Sequence, residues 1–207
     1  VFISTPGGLT VRKVISANQG MFSYHSAKGL GADHFFSSPW YEWPLIIKPM
    51  YYYSGGVVNG TASTILSFGN PLVWWGGLIA LVMVLILAGY KAVSYAGIIR
   101  APESLCRDRR PMMLLTAFAA QYLPWILVPR GTYIYHYFPS VPFIILCITL
   151  LVSYLMKRYG RVGKALLIGL PTVALILFIA FFPYLSGMRV STAWLDAMKW
   201  FPNWLYY

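Results

Sequence analysis

Four apolar segments dominate the chain, and each is near the length that a helix needs to cross a membrane. A helix requires about 20 residues to cross the roughly 30 Å hydrocarbon core of a bilayer. The segments are residues 71–90, 112–128, 137–156 and 165–185. The second is the shortest and is interrupted by Pro124, which neighbouring helices can accommodate by satisfying the freed backbone groups. The sequence therefore predicts an all-α membrane protein with four transmembrane helices.

The composition supports this class. Hydrophobic residues make up 58% of the chain, charged residues only 10%, and the mean hydropathy is +0.63, whereas soluble domains carry about 25% charged residues. A soluble bundle of four buried helices would need polar faces that these segments lack. The two cysteines, Cys106 and Cys147, are too few for a disulfide framework. Because the chain starts at Val1 without a signal peptide, we expect it to be the C-terminal piece of a longer protein.

The basic residues predict the orientation of the chain. Its net charge of +11 is compatible with nucleic-acid binding, but the bases lie in short clusters between the apolar segments, which is the pattern of the positive-inside rule. Loops 91–111 and 157–164 carry five and four bases, whereas residues 129–136, called here the Arg130 loop, carry only Arg130. We therefore expect no nucleic-acid partner and place the two basic loops in the cytoplasm. The N-terminal region, the Arg130 loop and the C-terminus are predicted to be extracytoplasmic in a multi-pass protein of the cell membrane.

Three regions follow from this topology: an extracytoplasmic loop region at 1–70, a four-helix transmembrane region at 71–185 and an extracytoplasmic aromatic tail at 186–207. In the first region, residues 11–27 place apolar side chains on one helical face. They predict either an amphipathic helix lying in the membrane interface or a solvated helix packed on its own domain. Further on, Gly55-Gly56 and Asn59-Gly60 are turn signals among aromatic and β-branched residues, and they predict a small β-hairpin at 50–69.

The aromatic tail is rich in tryptophan and tyrosine. Trp194, Trp200 and Trp204 are followed by Tyr206 and Tyr207 at the end of the chain. Aromatic belts at membrane interfaces account for such a composition. A sugar-stacking platform is the alternative.

Arg130 is the first candidate functional residue, because it lies where the second apolar segment ends, beside several aromatic side chains. An arginine at this depth can anchor the helix end by extending its guanidinium towards the interface. It can equally bind a lipid phosphate, because the planar guanidinium matches phosphate geometry. Charge and position alone support the two roles equally.

Glu42, in the sequence PWYEWP, is the second candidate. Its carboxylate could bind an acceptor, or it could hold the loop by pairing with Lys48 or Arg130, which is the role we favour because an acid among aromatic residues needs a partner. His25 and His34 lack the spacing of zinc ligands, so no metal site is predicted. No nucleophile, phosphate-loop or nucleotide-binding motif occurs either.

Three blocks of sequence resemble a known family. HFFSSPWYEWPLIIKPMYYY (34–53), GNPLVWWGGLIAL (69–81) and YLPWILVPRGTYIYHYFPSVPFIILCI (122–148) resemble, in this order, the C-terminal four-span region of the dolichyl-phosphate-mannose–protein mannosyltransferase family. The resemblance implies the C-terminal part of a membrane glycosyltransferase of the type C fold. Such enzymes transfer mannose from a polyprenyl-phosphate carrier to a Ser or Thr hydroxyl of an acceptor protein at the outer face of the bilayer, and no cofactor is implied.

The same resemblance implies which residues take part. The acidic pair thought to contain the family's catalytic base belongs to an N-terminal half that this chain does not include, so the catalytic residues are unknown here. Substrate-binding candidates within the matching blocks are Trp40, Glu42, Trp43, Arg130, Tyr135 and His136. A transporter fragment is the alternative, although it would be expected to carry ionisable groups at mid-membrane. A non-catalytic membrane module is the other alternative.

Overall fold

The structure, a computed structural model, describes residues 10–204 and is mostly helical. The α-helices in this range are α1 Val11–His25, α2 Pro71–Tyr95, α3 Glu103–Arg107, α4 Arg110–Tyr122, α5 Val141–Arg158, α6 Gly160–Ser186 and α7 Thr192–Ala197. Three 3-10 helices lie at Trp40–Leu45, Leu123–Leu127 and Ile134–Ser140. The strands are β1 Met50–Val58, β2 Thr61–Ser67 and β3 Val190–Ser191.

Three helices of the described region are long and apolar enough to cross a membrane. They are Pro71–Tyr95, Ile134–Arg158 (the third 3-10 helix continued by α5) and Gly160–Ser186, with mean hydropathies of 2.4, 2.1 and 2.7. Each is longer than the apolar segment that predicted it, because residues of the neighbouring loops continue the helices. These three helices confirm the membrane class.

The predicted second span, 112–128, does not form one long helix. α4 ends at Tyr122, and a 3-10 helix with Pro124 near its start continues to Leu127. Proline has no backbone N–H and disfavours α geometry in the residue before it, so the α-helix stops there. Within residues 10–204 the structure therefore has three long transmembrane helices, and the predicted second span is a shorter α-helix followed by a 3-10 helix.

The three long helices pack closely through small residues. A Cβ added to Gly77 of α2 would lie 2.8 Å from Cβ of Ile144 in α5, and one added to Gly163 of α6 would lie 2.4 Å from Cα of Met156. Small residues let helix backbones approach closely where lipid supplies no hydrophobic drive for association. Apolar side chains on the outer surfaces of α2 and α6 stay exposed, among them Ile79, Ile86, Ile168 and Ile179.

The predicted hairpin is confirmed and forms part of a larger sheet. β1 pairs antiparallel with β2, from Met50 opposite Ser67 to Val58 opposite Thr61. Asn59 and Gly60 connect the strands with φ values of 50° and 71°, the left-handed conformations that a tight hairpin turn requires.

A third strand, which the sequence did not reveal, joins this hairpin. β3 pairs with the other edge of β2, and the neighbouring Arg189 donates to the carbonyl oxygens of Thr61 (3.2 Å) and Gly55 (3.3 Å). The fold is consequently not all-α: a three-stranded sheet fastens the C-terminal tail to the N-terminal region.

α1 is present where an amphipathic helix was predicted. Thr10 caps it by accepting a hydrogen bond from the backbone N–H of Lys13 (3.4 Å). None of its residues is buried, and Val11 and Phe22 are about three-quarters exposed (77% and 75%). Its apolar face therefore does not pack against the rest of the described chain, as the alternative of a helix packed on its own domain would require.

Candidate functional site

The Arg130 loop is held on both sides of Arg130 by the N-terminal region. The backbone N–H of Gly131 donates to the carbonyl oxygen of Leu30 (2.8 Å), and that of Gly29 donates to the carbonyl oxygen of Pro129 (3.1 Å). One residue further on, the Thr132 hydroxyl donates to the carbonyl oxygen of Ser38 (2.8 Å). Since these bonds join segments about a hundred residues apart in the chain, they make the backbone around Arg130 part of the folded core at this end of the molecule.

Gly131 allows this approach. A Cβ on Gly131 would lie 2.1 Å from the carbonyl oxygen of Gly31 and 2.8 Å from the backbone N of Ala32. No side chain fits at that distance from backbone atoms, which cannot move away as a flexible side chain can. The residue after Arg130 therefore has to be glycine for the two segments to meet.

The Arg130 side chain is partly exposed and has no hydrogen bond or ion pair with any other residue of the described range 10–204. Its charge nevertheless acts on the neighbouring rings of Tyr135 and His136. A guanidinium carries five N–H donors and a permanent positive charge. Arg130 thus presents an unused phosphate-binding group from a fixed backbone.

His136 packs against two tryptophan rings that also contact each other. Its ring centroid is 5.8 Å from that of Trp43, with the planes 26° apart, and 4.3 Å from that of Trp125. Nδ1 lies 3.1 Å from the backbone N and 2.9 Å from the carbonyl oxygen of Tyr133, the N-cap residue of the 3-10 helix Ile134–Ser140. This orientation fixes the ring and leaves Nε2 without a hydrogen-bond partner among residues 10–204.

The contacts at Nδ1 decide what Nε2 can do. A neutral imidazole carries one proton, on one of its two ring nitrogens. Nδ1 lies 3.1 Å from a donor, the backbone N of Tyr133, and 2.9 Å from an acceptor, the carbonyl oxygen of the same residue. Nε2 is therefore a donor when Nδ1 accepts the Tyr133 N–H and an acceptor when Nδ1 donates to the Tyr133 carbonyl oxygen.

Tyr135 extends the same surface. Its ring stacks on that of Tyr133 (5.5 Å, planes 15° apart) and lies 4.4 Å from that of His136. The side chain of Tyr135 is exposed, and Tyr52 of β1 is close enough to influence it electrostatically. Aromatic faces and phenolic hydroxyls at this place are suited to contact a sugar or a polypeptide.

Glu42 lies in the 3-10 helix Trp40–Leu45, but its carboxylate is not paired as we expected. The ion pairs within residues 10–204 are Arg107–Glu103 and Arg110–Asp108. Lys48 lies over the ring of Phe35 instead, 5.0 Å from its centroid. The interpretation that Glu42 holds the loop by pairing with Lys48 or Arg130 is therefore wrong in this structure, and the carboxylate is available for another partner.

Trp40 and Trp43 fasten this 3-10 helix to the membrane helices. The Tyr122 hydroxyl at the end of α4 donates to the carbonyl oxygen of Trp40 (2.7 Å). Trp43 is buried, with 1% of its surface exposed, and its indole N–H donates to the Ser38 carbonyl oxygen (3.1 Å). The structure thus gives Trp43 a supporting position behind His136 and leaves Trp40 half-buried beside Tyr122.

The sequence did not indicate that the aromatic tail completes this region. Trp204 is buried and donates from its indole N–H to the carbonyl oxygen of Ile46 (2.7 Å), immediately after the 3-10 helix. Trp75 of α2 donates in the same way to the carbonyl oxygen of Leu45 (3.2 Å). Trp204 is therefore a core residue and offers no face for a sugar, while residues 205–207 lie outside the described range. The high tryptophan content of the tail was the only available signal in the sequence. It could not identify the carbonyl oxygens to which the indole N–H groups donate.

Two chemical properties characterise the region around the Arg130 loop. Arg130, Tyr135 and His136 form one continuous group, and Trp43 supports it from behind. Within residues 10–204, no group of three or more His, Cys, Asp or Glu side chains could hold a metal ion. These features define a membrane-embedded protein that presents a cationic, hydrogen-bonding and aromatic surface at one end of its helices.

The chain belongs to the protein O-mannosyltransferase family: residues 10–204 match the family described as the C-terminal four TMM region of protein-O-mannosyltransferase. This match confirms the resemblance found in the sequence. It covers the full described range, including all six candidate residues.

Several curated proteins are similar to the chain. "Dolichyl-phosphate-mannose--protein mannosyltransferase 5" of Candida albicans is 24% identical over 206 residues, which cover 93% of this chain and 28% of that protein. "Polyprenol-phosphate-mannose--protein mannosyltransferase" of Mycobacterium tuberculosis is 25% identical over 199 residues, which cover 88% of this chain and 35% of that protein. The chain thus spans about a third or less of the length of these relatives.

A solved structure shares the fold. The structure described as the S. cerevisiae protein O-mannosyltransferase Pmt1-Pmt2 complex bound to the sugar donor matches with a TM-score of 0.79 and 20% sequence identity. The match covers 99% of this chain and 28% of that chain. The architecture described above is therefore that of a C-terminal membrane region in this family.

Proposed function

We propose that a polypeptide containing this chain transfers mannose from a polyprenyl-phosphate carrier to Ser or Thr hydroxyls of acceptor proteins. Family membership supports the proposal, and the names of the relatives state a dolichyl- or polyprenol-phosphate-mannose donor and protein mannosyl transfer. The observation that carries it is the guanidinium of Arg130, which has no hydrogen bond or ion pair within residues 10–204 and lies on a fixed backbone next to Nε2 of His136.

The chemistry of the transfer explains why such a group is needed. The acceptor oxygen bonds to C1 of mannose, the bond between C1 and the phosphate oxygen breaks, and the hydroxyl proton passes to a base. The departing polyprenyl phosphate gains one negative charge in this step. Donors placed where that charge develops accelerate the reaction, because they bind the transition state more strongly than the ground state.

We assign these donors to Arg130 and His136. Arg130 would bind two phosphate oxygens through its paired N–H groups, and the Nε2–H of His136 would donate to a third oxygen or to a mannose hydroxyl. Tyr135 would contact the sugar or the acceptor through its exposed ring. The donor phosphate would thus lie at head-group depth, with its polyprenyl chain in the bilayer.

The segment containing Glu42 would form the roof of this site. Trp40 and Trp43 fix its position, while the Glu42 carboxylate, which has no partner within residues 10–204, can accept a hydrogen bond from the incoming polypeptide. The general base is assigned to a part of the polypeptide outside this chain, as the resemblance implies. Glu42 and Asp33 are the acids to test if that assignment is wrong.

We further propose that α4 and the 3-10 helix after it form a fourth crossing. α4 has 13 residues and the 3-10 helix has five, which correspond to about 20 Å and about 10 Å of rise. Together they approach the roughly 30 Å of the hydrocarbon core. With four crossings, both basic loops lie in the cytoplasm, and the site, the sheet and the C-terminus share the extracytoplasmic side.

The unburied apolar face of α1 supports a place for this helix in the outer membrane interface. Val11, Ile15 and Phe22 are all more than half exposed (77%, 52% and 75%). An amphipathic helix of this kind lies along the interface with its apolar face towards the acyl chains. α1 would then border the surface from which a lipid-linked donor enters.

Replacing Arg130 by lysine tests the phosphate assignment. Lysine keeps the charge but not the paired geometry, so Arg130→Lys in the full-length enzyme should reduce transfer roughly tenfold to a hundredfold, the effect of losing one charge-assisted hydrogen bond of about 1.5–3 kcal/mol. The measurement is the rate of mannosyl transfer together with donor affinity. Arg100→Lys is the control, because Arg100 is exposed and lies in the predicted cytoplasmic loop. Near-native transfer and donor binding in both variants would make Arg130 a helix anchor.

Cysteine labelling tests the topology. Single cysteines at Gly56 and Pro129 should react with a membrane-impermeant maleimide applied from outside, and one at Gly160 should react only after permeabilisation. We chose Pro129 because it is exposed, whereas Thr132 of the same loop is buried and hydrogen-bonded. Labelling of Gly56→Cys but not of Pro129→Cys from outside would separate the sheet from the Arg130 loop and remove the shared site.

A further inference from the structure

A groove of about 910 Å3 opens between α2, α3 and α4, at the end of the molecule opposite the candidate site. Its walls consist of small and flexible apolar side chains, contributed mainly by Ala88, Ala92, Met112, Met113, Ala117 and Ala120. Alanine leaves space between neighbouring helices, and methionine adapts its shape to whatever fills that space. The groove is therefore apolar along most of its length and open to the surroundings of the helices.

One end of the groove is strongly basic. Lys91, Arg107 and Arg109 line it. Lys91 is only 5% exposed, and its ammonium donates to the backbone carbonyl oxygen of Asp108. No carboxylate lies within 4.0 Å of it among residues 10–204. A charge withdrawn from water without a counter-charge is unfavourable, so this position favours an anion.

The nearby carboxylates do not neutralise this end. Asp108 is committed to Arg110, with Oδ2 at 2.7 Å from Nη2, and it also accepts from the Tyr154 hydroxyl (2.7 Å). Glu103 pairs with Arg107 at the surface (2.6 Å). Arg109, in contrast, is exposed and has no ion pair within the described residues. Lys91 and Arg109 are consequently two uncompensated cations beside an apolar groove.

We propose that this groove binds an anionic phospholipid. Its phosphate would accept hydrogen bonds from Lys91 and Arg109, and its acyl chains would lie against the alanine and methionine walls. A basic pocket between membrane helices is the form that recognition of anionic head groups takes in membrane proteins. The lipid site is separate from the transfer reaction and depends only on this end of the fold.

A phospholipid fits the groove better than a further protein helix does. A helix could pack closely against the alanine residues, but it would bury Lys91 more deeply and would need a carboxylate at that depth to compensate. A lipid of the leaflet supplies an anion at head-group depth and apolar chains beneath it. One lipid molecule therefore supplies both the anion for the basic end and the apolar chains for the rest of the groove.

Native mass spectrometry of the full-length protein in detergent tests the proposal. Phosphatidylglycerol and phosphatidylcholine with identical acyl chains are added in parallel, so that the two ligands differ only in the charged head group. The wild-type protein should retain phosphatidylglycerol about tenfold more strongly, because both lipids carry the phosphate but only phosphatidylcholine carries a choline cation, which the basic end of the groove repels. Lys91→Gln and Arg109→Gln should each remove most of this preference, and Ala117→Phe, which fills the groove, should reduce retention of both lipids.

Arg161→Gln is the matched control, because it removes one base from the other basic loop, away from the groove, and should leave the preference unchanged. Arg109 is exposed and has no ion pair within the described part of the chain, so its variant tests the proposal even where Lys91→Gln lowers the yield of folded protein. Equal retention of the two lipids by the wild-type protein would overturn the proposal. The proposal would also be overturned if Arg161→Gln reduced the preference for phosphatidylglycerol as much as Lys91→Gln or Arg109→Gln does. That result would indicate diffuse attraction by all the bases at this end. Unchanged binding in Ala117→Phe would also overturn it, because the lipid would then lie elsewhere or a protein helix would occupy the groove.

Discussion

Arg110 and Arg130 lie at opposite ends of the molecule and use the same side chain differently. The Arg110 guanidinium is committed to the Asp108 carboxylate through Nε (3.0 Å) and Nη2 (2.7 Å), and it lies over the ring of Tyr154. The Arg130 guanidinium has no partner within residues 10–204, although the backbone on both sides of it is fixed. A guanidinium that is paired with a carboxylate stabilises the fold of its loop, whereas a guanidinium without a partner on a rigid loop is available to bind a ligand.

The two ends also differ in how they are held. At the end that contains Arg130, hydrogen bonds connect segments far apart in sequence, such as Tyr122 to Trp40, separated by 82 residues, and Trp204 to Ile46, separated by 158. At the basic end, the bonds to Asp108 from Lys91, Arg110 and Tyr154 span 17, two and 46 residues. The Arg130 end can therefore keep several side chains in fixed relative positions, as a reaction site requires. The basic end depends on contacts over shorter separations.

Because the Arg130 end depends on close contacts between distant segments, we expect the largest loss of mannosyl transfer from a substitution at Gly131. Gly131→Ala would force the Arg130 loop away from the carbonyl oxygen of Gly31, which lies 2.1 Å from the position of the new Cβ. A displacement of about 1 Å can reduce catalysis about a hundredfold, so transfer by the full-length enzyme should fall by about this factor. Transfer rates and thermal unfolding are measured together, to separate a misplaced loop from loss of the fold.

Gly76→Ala is the control for this substitution. Gly76 lies in α2, and a Cβ there meets nothing within 4 Å. Alanine is favoured over glycine in a helix by about 1 kcal/mol, so this variant should keep its activity and unfold at the same or a slightly higher temperature. Equal loss of activity in both variants would show that the Arg130 loop is no more sensitive than an ordinary helix surface.

Local patterns in the sequence predicted the elements that depend on local physics. Long apolar runs predicted α2, α5 and α6, and Asn59-Gly60 predicted the turn between β1 and β2, because the turn needs residues that adopt positive φ. The break after Tyr122 also had a local cause in Pro124. We underestimated that cause by treating proline as tolerable within a membrane helix.

Contacts between distant segments could not be predicted in the same way. β3 has only two residues and pairs with a strand more than a hundred residues earlier in the chain, and no local periodicity identifies so short an element. The partner of Glu42 was inferred from the general need of an acid for a base, yet Lys48 lies over Phe35. The candidate residues Arg130, Tyr135 and His136 were found because they adjoin one another in sequence. Their support by Trp43 and Trp125 required the fold.

At the basic end, we expect Asp108→Asn to have a smaller effect than Gly131→Ala, namely a modest loss of folding stability. The variant loses the charge that binds Arg110 and accepts from the Tyr154 hydroxyl. Removing such an interaction at a partly exposed site should lower the free energy of unfolding by about 1–2 kcal/mol, measured by thermal unfolding in detergent. Transfer per folded molecule should be unchanged, because nothing at this end contacts the candidate site. A loss of transfer comparable to that of Gly131→Ala would show that the two ends are coupled.

The smallest expected effect is a pH dependence of the difference in unfolding temperature between the wild-type protein and Asp108→Asn. The hydrogen bond from Arg110 holds the pKa of the Asp108 carboxyl well below its usual range, with a further lowering by Tyr154. A carboxyl whose pKa is lowered in the folded protein stabilises it at any pH above the unfolded value of about 3.9, and this contribution declines as the pH falls below that value towards the folded pKa. The difference in unfolding temperature between wild type and Asp108→Asn should therefore be constant from about pH 8 to about pH 5 and narrow only below about pH 4. Narrowing already near pH 6 would mean that another titrating group controls this end of the fold.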